Sequence, residues 1–191
     1  MKLLLENWRE YLLKEQSELW NYKIQPEQKI FVSPEPFSNL QNIQQKKPAH
    51  AMDKPKGLWY GCGDSWIEWV RGEMPHWLEK ANYLYEIKLG EKIIQISNDD
   101  EFNNFQSEFG FTPSTKFPST AIDWGMVQAQ DYHGVEICPY QGQRRMNLDT
   151  GETGWYYTWD VASGCIWNSA GISDIILLAE RGDERVNETP I

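Results

Sequence analysis

The segment KPKGLWYGCGDSWIEW, residues 54–69, contains the pattern that decides the fold. Its first part, Gly57 to Gly61, is typical of a short strand with aromatic residues at its centre. A glycine turn follows, and Ser65 is placed to act as a helix N-cap, with Glu68 three residues later completing a capping box. The segment therefore predicts a strand that leads through a tight turn into a helix.

Outward from this segment, strands outnumber helices. Further strands are predicted at Lys29 to Ser33, Leu84 to Leu89, Lys92 to Ile96, Val135 to Ile137, Trp155 to Trp159, Cys165 to Trp167 and Ile172 to Ala179. Two pairs of strands are expected to be joined by turns, at Gly90-Glu91 and at Ser163-Gly164. Helices are predicted over residues 3–20, after Ser65, at Asp99 to Phe109 and at Ile122 to Ala129. Because strands and helices do not alternate regularly, the pattern predicts an α+β fold.

Composition excludes several classes of protein. The chain has 191 residues, with 18 Lys and Arg against 28 Asp and Glu, a formal net charge of -10. This charge argues against a protein held to duplex nucleic acid by a basic surface. The aromatic content, 10 Trp, 9 Tyr and 7 Phe, excludes intrinsic disorder for most of the chain. No apolar run approaches the roughly 20 residues of a membrane span, so no membrane partner is expected.

The length predicts one domain with two flanking segments. Residues 1–28 are predicted to hold an amphipathic helix packed on the domain, residues 29–180 the domain itself, and residues 181–191 a polar tail. No signal-peptide pattern opens the sequence, which favours a cytoplasmic protein. The cysteines are odd in number and widely spaced, and reduced thiols are expected at Cys62, Cys138 and Cys165.

The tryptophans are concentrated in two glycine-rich segments, residues 54–69 and residues 154–168. Together they hold six of the ten: Trp59, Trp66, Trp69, Trp155, Trp159 and Trp167. Indole faces stack well on flat rings, and neighbouring glycines let a ligand approach the backbone. We therefore expect two aromatic walls of one pocket, with Asp160 at its edge. The three histidines are far apart in sequence, and no metal site is predicted.

Several of these features, in their order along the chain, resemble the ADP-ribosyltransferase fold. The strand IFVSPEPF is followed by a polar loop, by GLWYG, by Ser65 and Trp69, and finally by an acidic turn before CIWN at residues 165–168. The resemblance covers roughly residues 29–179. The longer motifs, KPKGLWYG with GDSW and WYYTWD with SGCIWN, also resemble those of a set of uncharacterised proteins that look like divergent members. The resemblance implies split, mostly antiparallel β-sheets with peripheral helices.

The resemblance also implies a binding site for NAD. Gly57, Trp59 and Tyr60 would lie on the second strand, with Trp59 where a tyrosine stands in the poly(ADP-ribose) polymerase type. Ser65 would match the serine that bonds the nicotinamide amide, and Trp69 the aromatic residue that stacks on nicotinamide.

The first strand departs from the family pattern. Phe31-Val32-Ser33 stands where an Arg or a His-Gly pair is usual, so Ser33 or a residue of the loop 38–56 would have to anchor NAD. Arg144 and Arg145 are candidates for contacts with its pyrophosphate.

The catalytic acid implied by the resemblance is Asp160, with Glu136 as the second choice. A carboxylate at the ribose stabilises the oxocarbenium-like charge that develops when the nicotinamide bond breaks. The predicted function is transfer of ADP-ribose from NAD, its substrate, to a protein, nucleic-acid or nucleotide acceptor, a glycosyltransferase reaction with nicotinamide release. Two alternatives stay open: a non-catalytic aromatic platform or inhibitor that binds a carbohydrate, nucleotide or protein, and an NAD hydrolase on the same fold.

Overall fold

A computed structural model describes residue 20 and residues 22–113, 119–145 and 154–182. The predicted N-terminal helix lies outside these residues except for its last position, Trp20, which is buried. Of the predicted polar tail, the structure describes only Arg181 and Gly182. No helix in the described part of the chain is both long enough and apolar enough to cross a membrane.

The fold is α+β and is built on a seven-stranded, mostly antiparallel sheet. Across the sheet the strands lie in the order β4-β7-β8-β2-β1-β3-β9, and a separate pair is formed by β5 and β6. Within the large sheet, β4 and β7 are parallel and the other neighbours are antiparallel. The strands are β1 Lys29–Ser33, β2 Leu58–Cys62, β3 Tyr83–Leu89, β4 Ile93–Ile96, β5 Gly110–Phe111, β6 Ala121–Ile122, β7 Gly134–Ile137, β8 Ser163–Ile166 and β9 Ile172–Glu180.

The helices are short and lie around the sheet. They are α1 Ser65–Glu73, α2 Asp99–Phe109, α3 Trp124–Ala129 and α4 Gly142–Arg145, with 3-10 turns at Pro75–Lys80, Gly154–Tyr156 and Ser169–Gly171. Helix α2 shows why the helix predictions succeed. Its three phenylalanines, at positions 102, 105 and 109, all face the core, and the Asn98 side chain caps it by accepting a bond from the backbone N–H of Glu101 at 3.0 Å.

One face of the sheet carries two separate hydrophobic cores. In the first core, the buried residues of α2 and α3 pack on Val135 and Cys165 of the sheet, and the partly buried Trp59 packs against its edge. The second forms under α1 and includes Ile30 and Leu84. Ile30 pairs with Gly61 of β2, so the register puts it on the same face as Trp59. A third cluster, around Tyr60 and Ile166, covers the opposite face. A gap therefore remains between the first two cores.

Two predicted strand pairings are wrong. The strands on either side of Gly90-Glu91 both exist, but β3 pairs with β1 and β9, while β4 pairs with β7 at the other edge of the sheet. The Ser163-Gly164 turn is also wrong, since both residues lie inside β8. Glycine is required at position 164 for another reason: a Cβ there would lie 2.3 Å from the Tyr60 ring.

Three local predictions also need correction. Residues 155–159 do not form a strand. A 3-10 turn spans Gly154–Tyr156 instead, and its two aromatic residues, Trp155 and Tyr156, are both buried. The helix expected from Ile122 starts at Trp124, because Asp123 caps it by accepting from the Met126 N–H. Ser65 is the first residue of α1 rather than its N-cap, which is Asp64, and no capping box forms.

The expectation of three reduced thiols is wrong. Cys62, at the end of β2, forms a disulfide with Cys138, which follows β7. The two cysteines are 76 residues apart in sequence, and they meet because β2 and β7 both pair with β8. Cys165 is a buried free thiol, and burial raises its pKa well above the usual range.

Candidate functional site

A cavity of about 480 Å³ fills the gap between the two cores on one face of the sheet. Strands β1 and β2 form its floor, α1 and the 3-10 turn after it form one side, and the segment leading into β8 forms another. The residues whose side chains carry the argument are Lys54, Trp59, Trp66, Trp69, Trp77 and Asp160.

Indole rings provide most of the apolar surface of the cavity. Trp59 leans edge-on against the buried Trp159, with ring centroids 4.9 Å apart. On the other side Trp69 and Trp77 form an edge-on pair with centroids 6.1 Å apart. Trp77 is 45% exposed at the mouth, so its indole is accessible to a ligand. Flat rings placed against such surfaces gain stacking energy beyond the area that they bury.

Two glycines allow this close arrangement. A Cβ at Gly57 would lie 2.2 Å from the carbonyl oxygen of Ile166, so a side chain there would force β2 away from β8. A Cβ at Gly61 would lie 2.8 Å from the Trp66 Cβ. Glycine at position 61 therefore lets α1 start directly against β2 and places Trp66 at the cavity.

Asp160 is the carboxylate of the cavity. Arg145 donates a hydrogen bond from Nη2 to Asp160 Oδ1 at 2.8 Å, and its Nε donates to the backbone carbonyl of Tyr157 at 3.0 Å. Two contacts therefore fix the guanidinium, and the guanidinium in turn fixes the carboxylate. Asp160 is ready to act as an anion of fixed position.

Lys54 is the cation of the cavity. Its ammonium lies 5.1 Å from the centre of the Trp59 ring, in cation–π contact. Burial of the amine lowers the Lys54 pKa, the neighbouring Asp160 acts in the opposite direction, and Arg145 lowers it further. Within the part of the chain that the structure describes, no carboxylate lies at ion-pairing distance from this ammonium. Its positive charge is thus available to an anionic ligand.

Most of the predicted site residues meet at this cavity. Gly57, Trp59, Trp69 and Asp160 line it, and Tyr60 also borders it as a residue of β2, although its side chain points to the opposite face of the sheet.

Ser65 and Ser33 lie beside the cavity. The Ser65 hydroxyl donates to the backbone carbonyl of Ala162 at 2.7 Å and so ties α1 to the segment that carries Asp160. Ser33 lines an adjoining cavity of about 430 Å³, which shares Val32, Trp66 and Trp77 with the first.

Arg144 and Glu136 are not brought to the cavity. Arg144 bonds Asp99 at 2.9 Å and lies over the Phe102 ring. Glu136 and Tyr60 are both register partners of Gly164 on β8, so their side chains lie on the same face of the sheet, opposite to Trp59. It is therefore separated from the cavity by the sheet.

Glu136 lies in a buried polar cluster on that opposite face. Its Oε2 accepts a hydrogen bond from the Tyr60 hydroxyl at 2.9 Å and lies 2.8 Å from the Lys29 ammonium. Burial, together with the negative charge of Glu136, raises the Tyr60 pKa well above its usual value. Ligand atoms of Cys62, Glu136 and Cys138 lie within 4.8 Å of one another, but both sulfurs are engaged in the disulfide.

The second glycine-rich segment does not form an aromatic wall, contrary to expectation. Trp155, Trp159 and Trp167 are at most 1% exposed and belong to the first core. The other wall comes instead from Trp77, which the sequence interpretation missed. Lys54 was also missed as an individual residue, although it opens the segment 54–69 and lies in the loop expected to supply an anchor for NAD.

No protein-family model, no curated protein and no solved structure matches the chain.

Proposed function

We propose that the cavity binds NAD and that the chain transfers ADP-ribose to an acceptor with release of nicotinamide. One observation carries the proposal: Gly57, Trp59, Trp69 and Asp160, all residues to which the resemblance assigns a role at NAD, line a single cavity. Trp59 lies on β2, Trp69 on α1 and Asp160 in the segment before β8, so the fold brings residues of the two glycine-rich segments to one place. A cavity lined by aromatic side chains with a few charged groups is also the usual form of a small-molecule site.

The residues in the cavity suit the parts of NAD. The indoles of Trp59 and Trp69 offer stacking surfaces for the nicotinamide ring. Lys54 supplies positive charge for the pyrophosphate, in the role left open by Phe31-Val32-Ser33. The adjoining cavity of about 430 Å³ offers room beyond the first for a ligand as long as a dinucleotide.

Asp160 would act at the ribose. When the bond from C1′ to the nicotinamide nitrogen breaks, nicotinamide leaves with the bonding pair as a neutral molecule, and positive charge develops on the ribose. A carboxylate held in place by Arg145 stabilises that charge without having to reorient. A nucleophilic oxygen or nitrogen of the acceptor then bonds to C1′ and gives its proton to solvent.

The direct test is incubation with NAD, followed by thermal shift and by nicotinamide release. Wild-type protein is expected to gain thermal stability and to release nicotinamide. Trp69→Ala is expected to weaken NAD binding by about 1 to 3 kcal/mol, as for loss of one stacking surface, or roughly 5- to 150-fold in Kd.

Two variants serve as controls in that experiment. Trp69→Phe is expected to retain most of the affinity because it keeps a stacking ring, and Tyr83→Ala, on β3 outside the cavity, is expected to leave it unchanged. A thermal shift by oligosaccharides with none by NAD would contradict the proposal and favour the non-catalytic platform. Release into water alone, with every acceptor class refused, would favour the hydrolase.

The lowered pKa of Lys54 predicts how the affinity for a pyrophosphate ligand depends on pH. Because its pKa is lowered from 10.5, the ammonium loses its proton, and with it the attraction for phosphate, at a lower pH than an ordinary lysine. The affinity for ADP, which has no reducing sugar to degrade in alkali, is expected to fall roughly tenfold as the pH rises through the Lys54 pKa. Lys54→Arg should remove this fall, because a guanidinium stays protonated. Equal pH profiles for the two proteins would exclude Lys54 from the anion site.

A further inference from the structure

The loop before β2 concentrates positive charge in an acidic protein. The segment KKPAHAMDKPK, residues 46–56, holds four lysines and one aspartate, whereas the whole chain has a formal net charge of -10. Lys46, Lys47 and Lys56 are exposed, and so is Lys54 over the residue as a whole, although its amine is turned inward against the Trp59 ring. We refer to these four residues as the lysine patch.

The loop that carries the lysine patch is held in a fixed conformation. Gln45 is buried, and its side chain closes the base of the loop: it donates to the Lys56 carbonyl at 2.7 Å and accepts from the Lys56 N–H at 3.0 Å. The Gln45 N–H is in turn bonded to Gln128 of α3 at 2.8 Å. Near the middle, the Trp124 indole donates to the carbonyl of Asp53 at 3.0 Å. The lysines are therefore presented from an ordered backbone.

The lysine patch lines a third cavity, of about 420 Å³, which shares Lys54 with the candidate NAD cavity. Acidic groups neutralise only part of its charge. Lys47 lies 3.5 Å from Asp123, and the Asp53 carboxylate is bonded to a backbone N–H within the loop. For Lys46 and Lys56, no carboxylate of the described residues lies at ion-pairing distance. Lys54, which lines both cavities, thus connects the lysine patch with Asp160 and Trp59.

We infer that the lysine patch binds the phosphates of single-stranded nucleic acid and leads a base towards the cavity. Sites for single strands combine a basic track for the backbone with aromatic side chains on which bases stack. The lysine patch supplies the first of these, and the indoles beyond Lys54 supply the second. An acidic peptide would use the lysines but would leave the indoles without a matching ring. The net charge of the rest of the chain disfavours a duplex, which presents phosphates over a wider surface.

Binding of single-stranded nucleic acid does not depend on the proposed function, but its role as the acceptor of ADP-ribose does. A ring or exocyclic nitrogen of the base would form the new bond to C1′ as the bond to nicotinamide breaks. Nicotinamide leaves with the bonding pair, and the base nitrogen gives its proton to solvent. The acceptor class left open above is then a nucleobase in a single strand.

The test measures binding of short, fluorescently labelled DNA and RNA oligomers of mixed sequence to the full chain at several salt concentrations. The logarithm of the affinity is expected to fall with the logarithm of the salt concentration, with a slope of about -2 to -3 for three or four phosphate contacts. The variant Lys46→Gln/Lys56→Gln, which leaves the NAD cavity intact, should lose roughly tenfold or more in affinity and flatten the slope by about one to two units. Lys23→Gln, at an exposed lysine outside the three cavities, is the control for each single variant, Lys46→Gln and Lys56→Gln, whose losses should add up in the double variant.

Each outcome has a defined meaning. Oligomers that bind wild type and the double variant equally, or that fail to bind wild type at low salt, would overturn the inference. Equal binding of polyglutamate, or tighter binding of duplex than of single strands, would also overturn it. Nicotinamide release is measured separately on the same proteins, and the double variant should retain release into water. Loss of oligomer binding with normal release thus separates failure of this inference from failure of the proposed function.

Discussion

Asp160→Asn is expected to lower the rate of nicotinamide release by about 100- to 1000-fold, the usual cost of removing one group that stabilises transition-state charge. Asparagine keeps the size of the side chain and an oxygen for the hydrogen bond from Arg145, which is 2.8 Å long in the wild-type protein. What is lost is the negative charge facing the ribose. The measurement is release of nicotinamide from saturating NAD, with the NAD-induced thermal shift recorded in parallel.

The thermal shift separates chemistry from binding in this experiment. Because asparagine leaves the indoles and Lys54 in place, the shift with NAD should persist while release is lost. Asp174→Asn, at an exposed position of β9, removes an equal charge away from the cavity and should release nicotinamide at the wild-type rate. A rate for Asp160→Asn within a few-fold of wild type would remove Asp160 from the reaction.

Glu136→Ala is expected to destabilise the protein by about 3 to 5 kcal/mol, the cost of breaking a buried ion pair from one side. Without the carboxylate, the Lys29 ammonium and the Tyr60 hydroxyl both lose the partner that the structure places within 3 Å of them. The measurement is denaturant unfolding, with the free energy of unfolding extrapolated to water.

A set of compensating variants identifies the cause of that loss. Lys29→Met/Glu136→Leu removes both charges, and adding Tyr60→Phe removes the remaining unpaired hydroxyl. The triple variant is expected to recover most of the stability, since buried ion pairs replaced by apolar residues of similar volume are often no less stable. If Glu136→Ala instead kept its stability and lost nicotinamide release, Glu136 would be the catalytic acid.

Local patterns account for the elements that sequence reasoning predicted well. The phenylalanines of α2 repeat at helical spacing, and Asn98 stands at its N-terminus. The long apolar run of β9 needs no distant information to be recognised as a strand. The pairing of β4 with β7 could not be found in this way, because a glycine turn after β3 suggests a hairpin, whereas the partner of β4 is a strand that follows α2 and α3 in the chain.

Local sequence patterns also predicted part of the candidate site. Trp59 and Trp69 are close in sequence and lie in the strand and the helix of one strand–turn–helix unit, so their convergence follows from local geometry. Trp159 occurs in an equally glycine-rich context, yet it is fully buried. It belongs to the core formed with the buried side chains of α2 and α3, which are distant in sequence. The contribution of Trp77 depends on a 3-10 turn folding back on α1, and no short-range pattern indicates such a contact.

The disulfide between Cys62 and Cys138 has a consequence for the order in which the protein assembles. Its two strands are not neighbours, because β8 lies between them and pairs with both. The cysteines are therefore held near each other only once a strand made later in the chain has been inserted. A nascent chain that ends before Ser163 has no template to align the two sulfurs. We therefore expect the disulfide to form only after β8 has paired with both β2 and β7.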